Sequence, residues 1–138
     1  MKKKLRFLIA DDDPDDRELL GAILQDIAPG AVITMVSDGT RAVDYLQHCG
    51  ETSLPHVIIL DYNMPLMSAP QVLDRICNKG MYAGIAKFIM STSDSQQYLD
   101  GCRNKGVIEY FKKPNSIDGI RRIAIRILEY INTVSKKP

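Results

Sequence analysis

Leu5-Arg6-Phe7-Leu8-Ile9-Ala10-Asp11-Asp12-Asp13-Pro14 is the stretch whose reading decides the fold. A short, almost wholly apolar run goes straight into three carboxylates and a proline. With no polar alternation, residues 5–10 read as a strand buried on both faces. Asp13 can cap a following helix, Pro14 fits its first position, and Asp15 and Asp16 suit the positive end of its dipole. Leu19, Leu20, Ile23, Leu24 and Ile27 then line one helical face until Pro29-Gly30 stops it. A doubly buried strand feeding an amphipathic helix is the opening of a βαβ unit.

The same alternation repeats along the chain. Further strands are predicted at residues 31–36, 56–60, 87–90 and 107–111. Asp38-Gly39-Thr40 turns into a helix through Ala42, Val43 and Leu46, and Pro70 opens one carrying Val72, Leu73 and Ile76 that closes near Gly80. A fourth helix, residues 94–104, has a thin apolar face. The last keeps a 3.6-residue rhythm through Ile117, Ile120, Ile123, Ala124, Ile127, Leu128, Ile131 and Val134. Such alternation implies a doubly wound α/β domain, a parallel sheet with helices on both faces. Residues 1–138 read as a single domain with a core at about 5–135, a frayed tail at 136–138 and no output domain.

Bulk properties exclude several classes. Apolar residues make up 45% of the chain and charged residues 25%, ordinary for a globular protein. A formal charge of +1 gives no global field toward nucleic acid or an acidic membrane. The lysines at 2–4 and the group Arg121, Arg122, Arg126, Lys136 and Lys137 read as solvated surface. Cys49, Cys77 and Cys102 are widely spaced and lack metal-ligand spacing, which fits reduced thiols. Arg6 and Asp11 cut the first apolar run too short for a signal peptide, and nothing approaches a membrane span. A cytoplasmic location is the expectation.

Four of the strands end on residues suited to phosphate chemistry. The first meets Asp11 and Asp12, the third Asp61, the fourth Ser91 and Thr92, and the fifth Lys113-Pro114. In an open parallel sheet all strand ends share one edge, and ligands bind there where the strand order reverses. Crowded carboxylates repel one another unless a cation compensates, and Mg²⁺ is the natural partner for such oxygen donors. Lys113 adds a charge able to pair with a carboxylate or a phosphoryl group, and Ser91 or Thr92 adds a hydroxyl. The set suits phosphoryl transfer, with one carboxylate as the nucleophile. Taken singly, each residue has a plainer reading. Asp11–Asp13 can cap a helix, Asp61 can belong to the turn before Asn63-Met64-Pro65, and Lys113 can be solvated.

On these motifs the chain resembles the receiver domains of two-component response regulators. The resemblance rests on Leu8-Ile9-Ala10-Asp11-Asp12-Asp13-Pro14, Ile59-Leu60-Asp61-Tyr62-Asn63-Met64-Pro65, Met90-Ser91-Thr92-Ser93 and Tyr110-Phe111-Lys112-Lys113-Pro114. It implies a flavodoxin-like, five-stranded sheet in the order 2-1-3-4-5 with five helices. It makes Asp61 the phosphoacceptor and a Mg²⁺ site residue, with Asp12 as the direct Mg²⁺ ligand, Asp11 holding a metal-bound water and the backbone carbonyl of Asn63 completing the protein's share. Ser91 resembles the switch hydroxyl, Tyr110 the switch aromatic, and Lys113 the phosphoryl-binding lysine. Asn63, Thr92 and Ser93 flank the site as residues that tune phosphate lifetime. Tyr110 also reads as an ordinary half-buried strand aromatic. The implied partners are a histidine kinase, or a hybrid kinase with its histidine phosphotransfer protein, and a downstream protein target. No nucleic acid or membrane partner is implied, and the face bearing Tyr110 and the last helix is a candidate homodimer surface. Met67-Ser68-Ala69 departs from the family's usual Met-Asp-Gly, so the loop into the third helix is expected to be rearranged.

Two other functions compete. A Mg²⁺-dependent small-molecule phosphatase or phosphotransferase would want a second carboxylate two residues after the nucleophile, where Asn63 stands. A receiver-like interaction domain that has lost phosphorylation would lack the aspartate or the lysine, and both are present.

Overall fold

A computed structural model describes residues 4–92, 96–102 and 104–135. The elements run β1 (Arg6–Ala10), α1 (Pro14–Ile27), β2 (Val32–Val36), α2 (Gly39–His48), β3 (Val57–Asp61), α3 (Ala69–Ile76), β4 (Ala86–Ser91), α4 (Gln96–Cys102), β5 (Val107–Lys112) and α5 (Ile117–Ser135). Single 3₁₀ turns at Glu51–Ser53 and Gly80–Tyr82 precede β3 and β4. All strand pairs are parallel, in the order β2-β1-β3-β4-β5. No helix among the described residues is long and apolar enough to cross a membrane.

Side-chain alternation sorts the strands between two cores. Leu8, Ala10, Ile58, Leu60 and Ile89 pack with Ala42, Leu46, Val72 and Leu73, on the side of α2 and α3. Phe7, Ile9, Val57, Ile59, Phe88 and Met90 pack with Leu20, Leu24, Ala124 and Ile127, on the side of α1 and α5. Residues 7–10 and 57–60 look uniformly apolar in sequence because each strand must serve both layers. On α5 the buried part of the stripe is Ile120, Ala124 and Ile127, whereas Ile117 and Val134 at its ends stay exposed.

Helix starts follow local chemistry. Asp13 caps α1, its carboxylate accepting the N–H groups of Asp15 and Asp16 at 2.9 and 3.2 Å. Asp38 caps α2 by accepting the Arg41 N–H at 2.8 Å. Helix α3 opens one residue before Pro70, with Ser68 as N-cap and the Ser68 N–H donating to the Gln71 side chain at 2.9 Å.

The loop from β3 to α3 carries the departure from the family motif. Its left-handed residue is Leu66, with φ of 69°, while Ala69 is helical. The loop presses on the start of α2, where a Cβ at Gly39 would stand 2.1 Å from the Met67 carbonyl oxygen. Only glycine fits that approach. The predicted helix at 94–104 is described only over α4, and Asp94 lies outside the described residues.

Candidate functional site

Strand order reverses between β1 and β3, since β1 leads in sequence to β2 on one side and pairs with β3 on the other. Asp11 and Asp12 follow β1, and Asp61 ends β3. The reversal therefore sets three carboxylates side by side, with one ligand oxygen from each lying within 4.8 Å of the others. Asp11 and Asp61 are buried and Asp12 is exposed, so the cluster opens to solvent on one side.

Lys113 reaches this cluster from the end of β5. On the strand alternation it shares parity with Phe111, which packs on the α1–α5 side. Its Nζ lies 2.9 Å from Asp11 Oδ2, 3.0 Å from Asp16 Oδ2 and 3.6 Å from Asp61 Oδ2. The backbone N–H of Lys113 donates to the Ser91 carbonyl at 2.6 Å, which locks the two strand ends together. Asp11 is held from a second direction, its Oδ1 accepting the Asp13 N–H at 3.0 Å.

The electrostatics follow from this crowding. Burial, then the charge of Asp11, pushes the Asp61 carboxyl up to about 7, against a smaller downward pull from Lys113. Burial presses the Lys113 ammonium downward, but hydrogen bonds to Asp11 and Asp16 and the charges of Asp11 and Asp61 carry it above its ordinary value. With Asp11, Asp12, Asp16 and Asp61 gathered around a single ammonium, the cluster has negative charge left for a cation to neutralise. Three hard oxygen donors in reach of one ion match the preference of Mg²⁺, which takes one or two carboxylates and keeps its remaining waters.

Other predicted residues are placed around this centre. Ser91 ends β4, is almost fully buried and pairs in register with Lys112, while Lys112 itself is exposed. Thr92 is exposed and, with Asp11, Asp16, Lys113 and Pro114, lines a cavity of about 390 Å³ beside the cluster. Asn63 is exposed in the turn after β3. Tyr110 is half-buried and packs against the opposite core, its ring centroid 6.3 Å from that of Tyr62 and tilted by 60°. Ser93 lies outside the described residues.

Two contacts were not legible beforehand. Asp16, read only as a helix-dipole residue, ion-pairs with Lys113 across 97 positions of sequence. Arg17 Nη1 donates to the Asp11 carbonyl oxygen at 2.8 Å, tying the first turn of α1 to the end of β1. The available signal was helical geometry, which places residues of the first turn beside the preceding strand end.

Comparison with known proteins points the same way. Residues 7–125 match the response regulator receiver domain family. The chain is 27% identical over 129 residues to two-component response regulator ARR5 of Arabidopsis thaliana, covering 88% of this chain and 69% of that protein. It is 28% identical to ARR15 of the same plant but spans only 61% of that protein's length. Rice (Oryza sativa subsp. japonica) response regulator ORR5 matches at 27% over 121 residues, 88% of this chain and 87% of that one. Among solved structures, the phosphorylated cyanobacterial phytochrome response regulator RcpA superposes with a TM-score of 0.84 at 24% identity, covering 93% and 94% of the two chains. The Mn²⁺-bound form of response regulator Rcp1 gives 0.77 at 23% identity, covering 89% and 91%. The family match and the shared fold agree with this chain's own strand order and its acidic cluster at the reversal point. The chain belongs to the response regulator receiver domain family, the signalling modules of two-component systems.

Proposed function

We propose that Asp61 accepts a phosphoryl group from a phosphohistidine donor, a histidine kinase or the histidine phosphotransfer protein of a hybrid kinase. The observation that carries this reading is the meeting of Asp11, Asp12, Asp61 and Lys113 at the strand-order reversal. An Asp61 carboxylate oxygen attacks phosphorus, a new O–P bond forms, and the P–N bond to the donor imidazole breaks, its electron pair leaving with the ring. Lys113, 3.6 Å from the attacking carboxyl, is placed to pair with phosphoryl oxygens as negative charge gathers on them. Asp12, Asp11, Asp61 and the Asn63 carbonyl are the groups that would hold Mg²⁺. When bound, the ion supplies the positive charge that keeps neighbouring carboxylates ionised and screens the incoming phosphoryl group.

Ser91 and Tyr110 convert the local event into a surface change. Ser91 offers its hydroxyl to the phosphoryl group, and the Tyr110 ring responds from the next strand. The face of α4, β5 and α5 then shifts its population, and a downstream protein reads it. Thr92 and Asn63 border the phosphoryl position and tune how soon water removes it, and Ser93 is given the same tuning role on its sequence position alone.

The test is incubation with Mg²⁺ and acetyl phosphate followed by intact mass. Wild type gains one phosphoryl group and Asp61→Ala gains none. Equal gain by both proteins removes Asp61 as acceptor.

A further inference from the structure

Lysine carries three N–H bonds, and in this protein the Lys113 ammonium has three carboxylates around it. Two of them, Asp11 and Asp61, belong to the trio suited to a divalent cation. The third, Asp16, stands outside that trio and approaches from the first turn of α1 at 3.0 Å. Its backbone is fixed by the Asp13 cap, so the carboxylate is delivered from a rigid helix start. It borders the 390 Å³ cavity with Lys113 and Thr92, and its side chain is 41% exposed, so the ion pair can open without disturbing the core.

We propose that Asp16 is a positioning residue for Lys113: it holds the ammonium from the α1 side, so that the ammonium faces Asp61 across 3.6 Å without the two closing to hydrogen-bond contact. The inference rests on the phosphoacceptor reading above. Without Asp16 the pulls on the ammonium are Asp11 at 2.9 Å and Asp61 at 3.6 Å, and both draw it into the carboxylate trio. A lysine closed onto Asp61 occupies the oxygens that a divalent cation and a phosphoryl group both need. Asp16 is also the one partner of Lys113, among the described residues, whose hold is not surrendered when a cation engages the trio.

The experiment is a double-mutant cycle with Asp16→Ala and Lys113→Met, reading Mg²⁺ affinity by calorimetry. With Lys113 present, Asp16→Ala weakens Mg²⁺ binding about tenfold, the size expected for groups coupled through direct contact. In the Lys113→Met background the same change costs no more than about twofold, the residual effect of one screened charge. Acetyl phosphate labelling of Asp16→Ala is slow at low Mg²⁺ and recovers at saturating Mg²⁺. Asp16→Asn, which keeps the shape but not the charge, gives the same pattern and controls for folding. An equal loss in both backgrounds, no loss in either, or labelling that saturating Mg²⁺ fails to restore overturns the role of Asp16. Failure of wild type to take any phosphoryl group would instead sink the phosphoacceptor reading, leaving the binding cycle to be judged alone.

Discussion

Two lysines with largely covered side chains sit at opposite edges of the same sheet, Lys87 buried and Lys113 half-buried, and their surroundings could hardly differ more. Lys113 sits at the carboxyl edge among Asp11, Asp16 and Asp61. Lys87, only 4% exposed at the start of β4, donates to the carbonyl oxygens of Tyr82 and Ile85 at 3.1 and 3.0 Å. One is surrounded by anions and holds its proton more tightly than usual. The other is desolvated among neutral acceptors, and burial pushes its ammonium down. Burial alone thus says little about function. The charge of the partners decides whether a buried lysine serves as an electrostatic tool or as a clamp on a turn.

The largest expected contrast is in phosphoryl acceptance. Lys113→Met should slow acetyl phosphate labelling about 100-fold, the usual cost of removing one group that meets developing charge. Lys87→Met should label within about twofold of wild type, since that lysine lies at the far edge of the sheet. Initial rates by intact mass settle it, and a comparable loss in Lys87→Met would erase the distinction.

A second contrast concerns Asp61, the proposed acceptor that Lys113 faces. Its carboxyl rises from 3.8 to about 7 in the folded protein, so between those values the folded state keeps a proton the unfolded chain has lost. Stability therefore falls as pH rises through that window, and the loss is complete above it. Asp61→Asn carries no such charge. Without divalent cations it should be more stable than wild type by about 2 kcal/mol near pH 8, a gain that fades toward about pH 4. Urea unfolding in chelator across that range checks the slope, and a pH-independent difference would contradict the assignment.

The smallest effect separates the two lysines directly. The Lys87 ammonium is depressed below 10.5, so the unfolded chain binds that proton more tightly and stability should climb as pH rises toward 10.5. Lys113 is raised, so its contribution is complete below 10.5 and declines only above it. Wild type should therefore gain about 1 kcal/mol relative to Lys87→Met between neutral pH and about pH 10. In an Asp61→Asn background, where the acceptor position no longer titrates, Lys113→Met should show no such relative shift over the same range. Parallel denaturation curves for these proteins provide the measurement.

Much of the site was legible because strand polarity does the gathering. Once residues 5–10, 56–60, 87–90 and 107–111 are read as parallel strands, Asp11, Asp61, Ser91 and Lys113 must share an edge. Helix starts were equally plain at Asp13 and Asp38, because capping depends on neighbours within four residues. The opening of α3 at Ala69 was missed by one position, since Pro70 is tolerated anywhere in the first turn. The left-handed turn at Leu66 had no signal, because a leucine at positive φ contradicts local preference and is held there by the packing of Met67 against Gly39.

The amino-acid order alone determined the alternation of elements, the edge that carries the chemistry and the residues that meet there, since each depends on short-range patterns or on chain direction. Only tertiary structure decided which carboxylates hold Lys113 and what surrounds Lys87. Asp16 faces Lys113 because it lies on the same side of α1 as Leu20 and Ile23, one turn ahead of the stripe packed into the core, where β1 and β5 end. Lys87 is buried because its strand sits between β3 and β5, with the turn carbonyls of Tyr82 and Ile85 folded back over its ammonium. Both follow from how packed layers rotate and close on one another, a property of the assembled core that no local stretch of residues encodes.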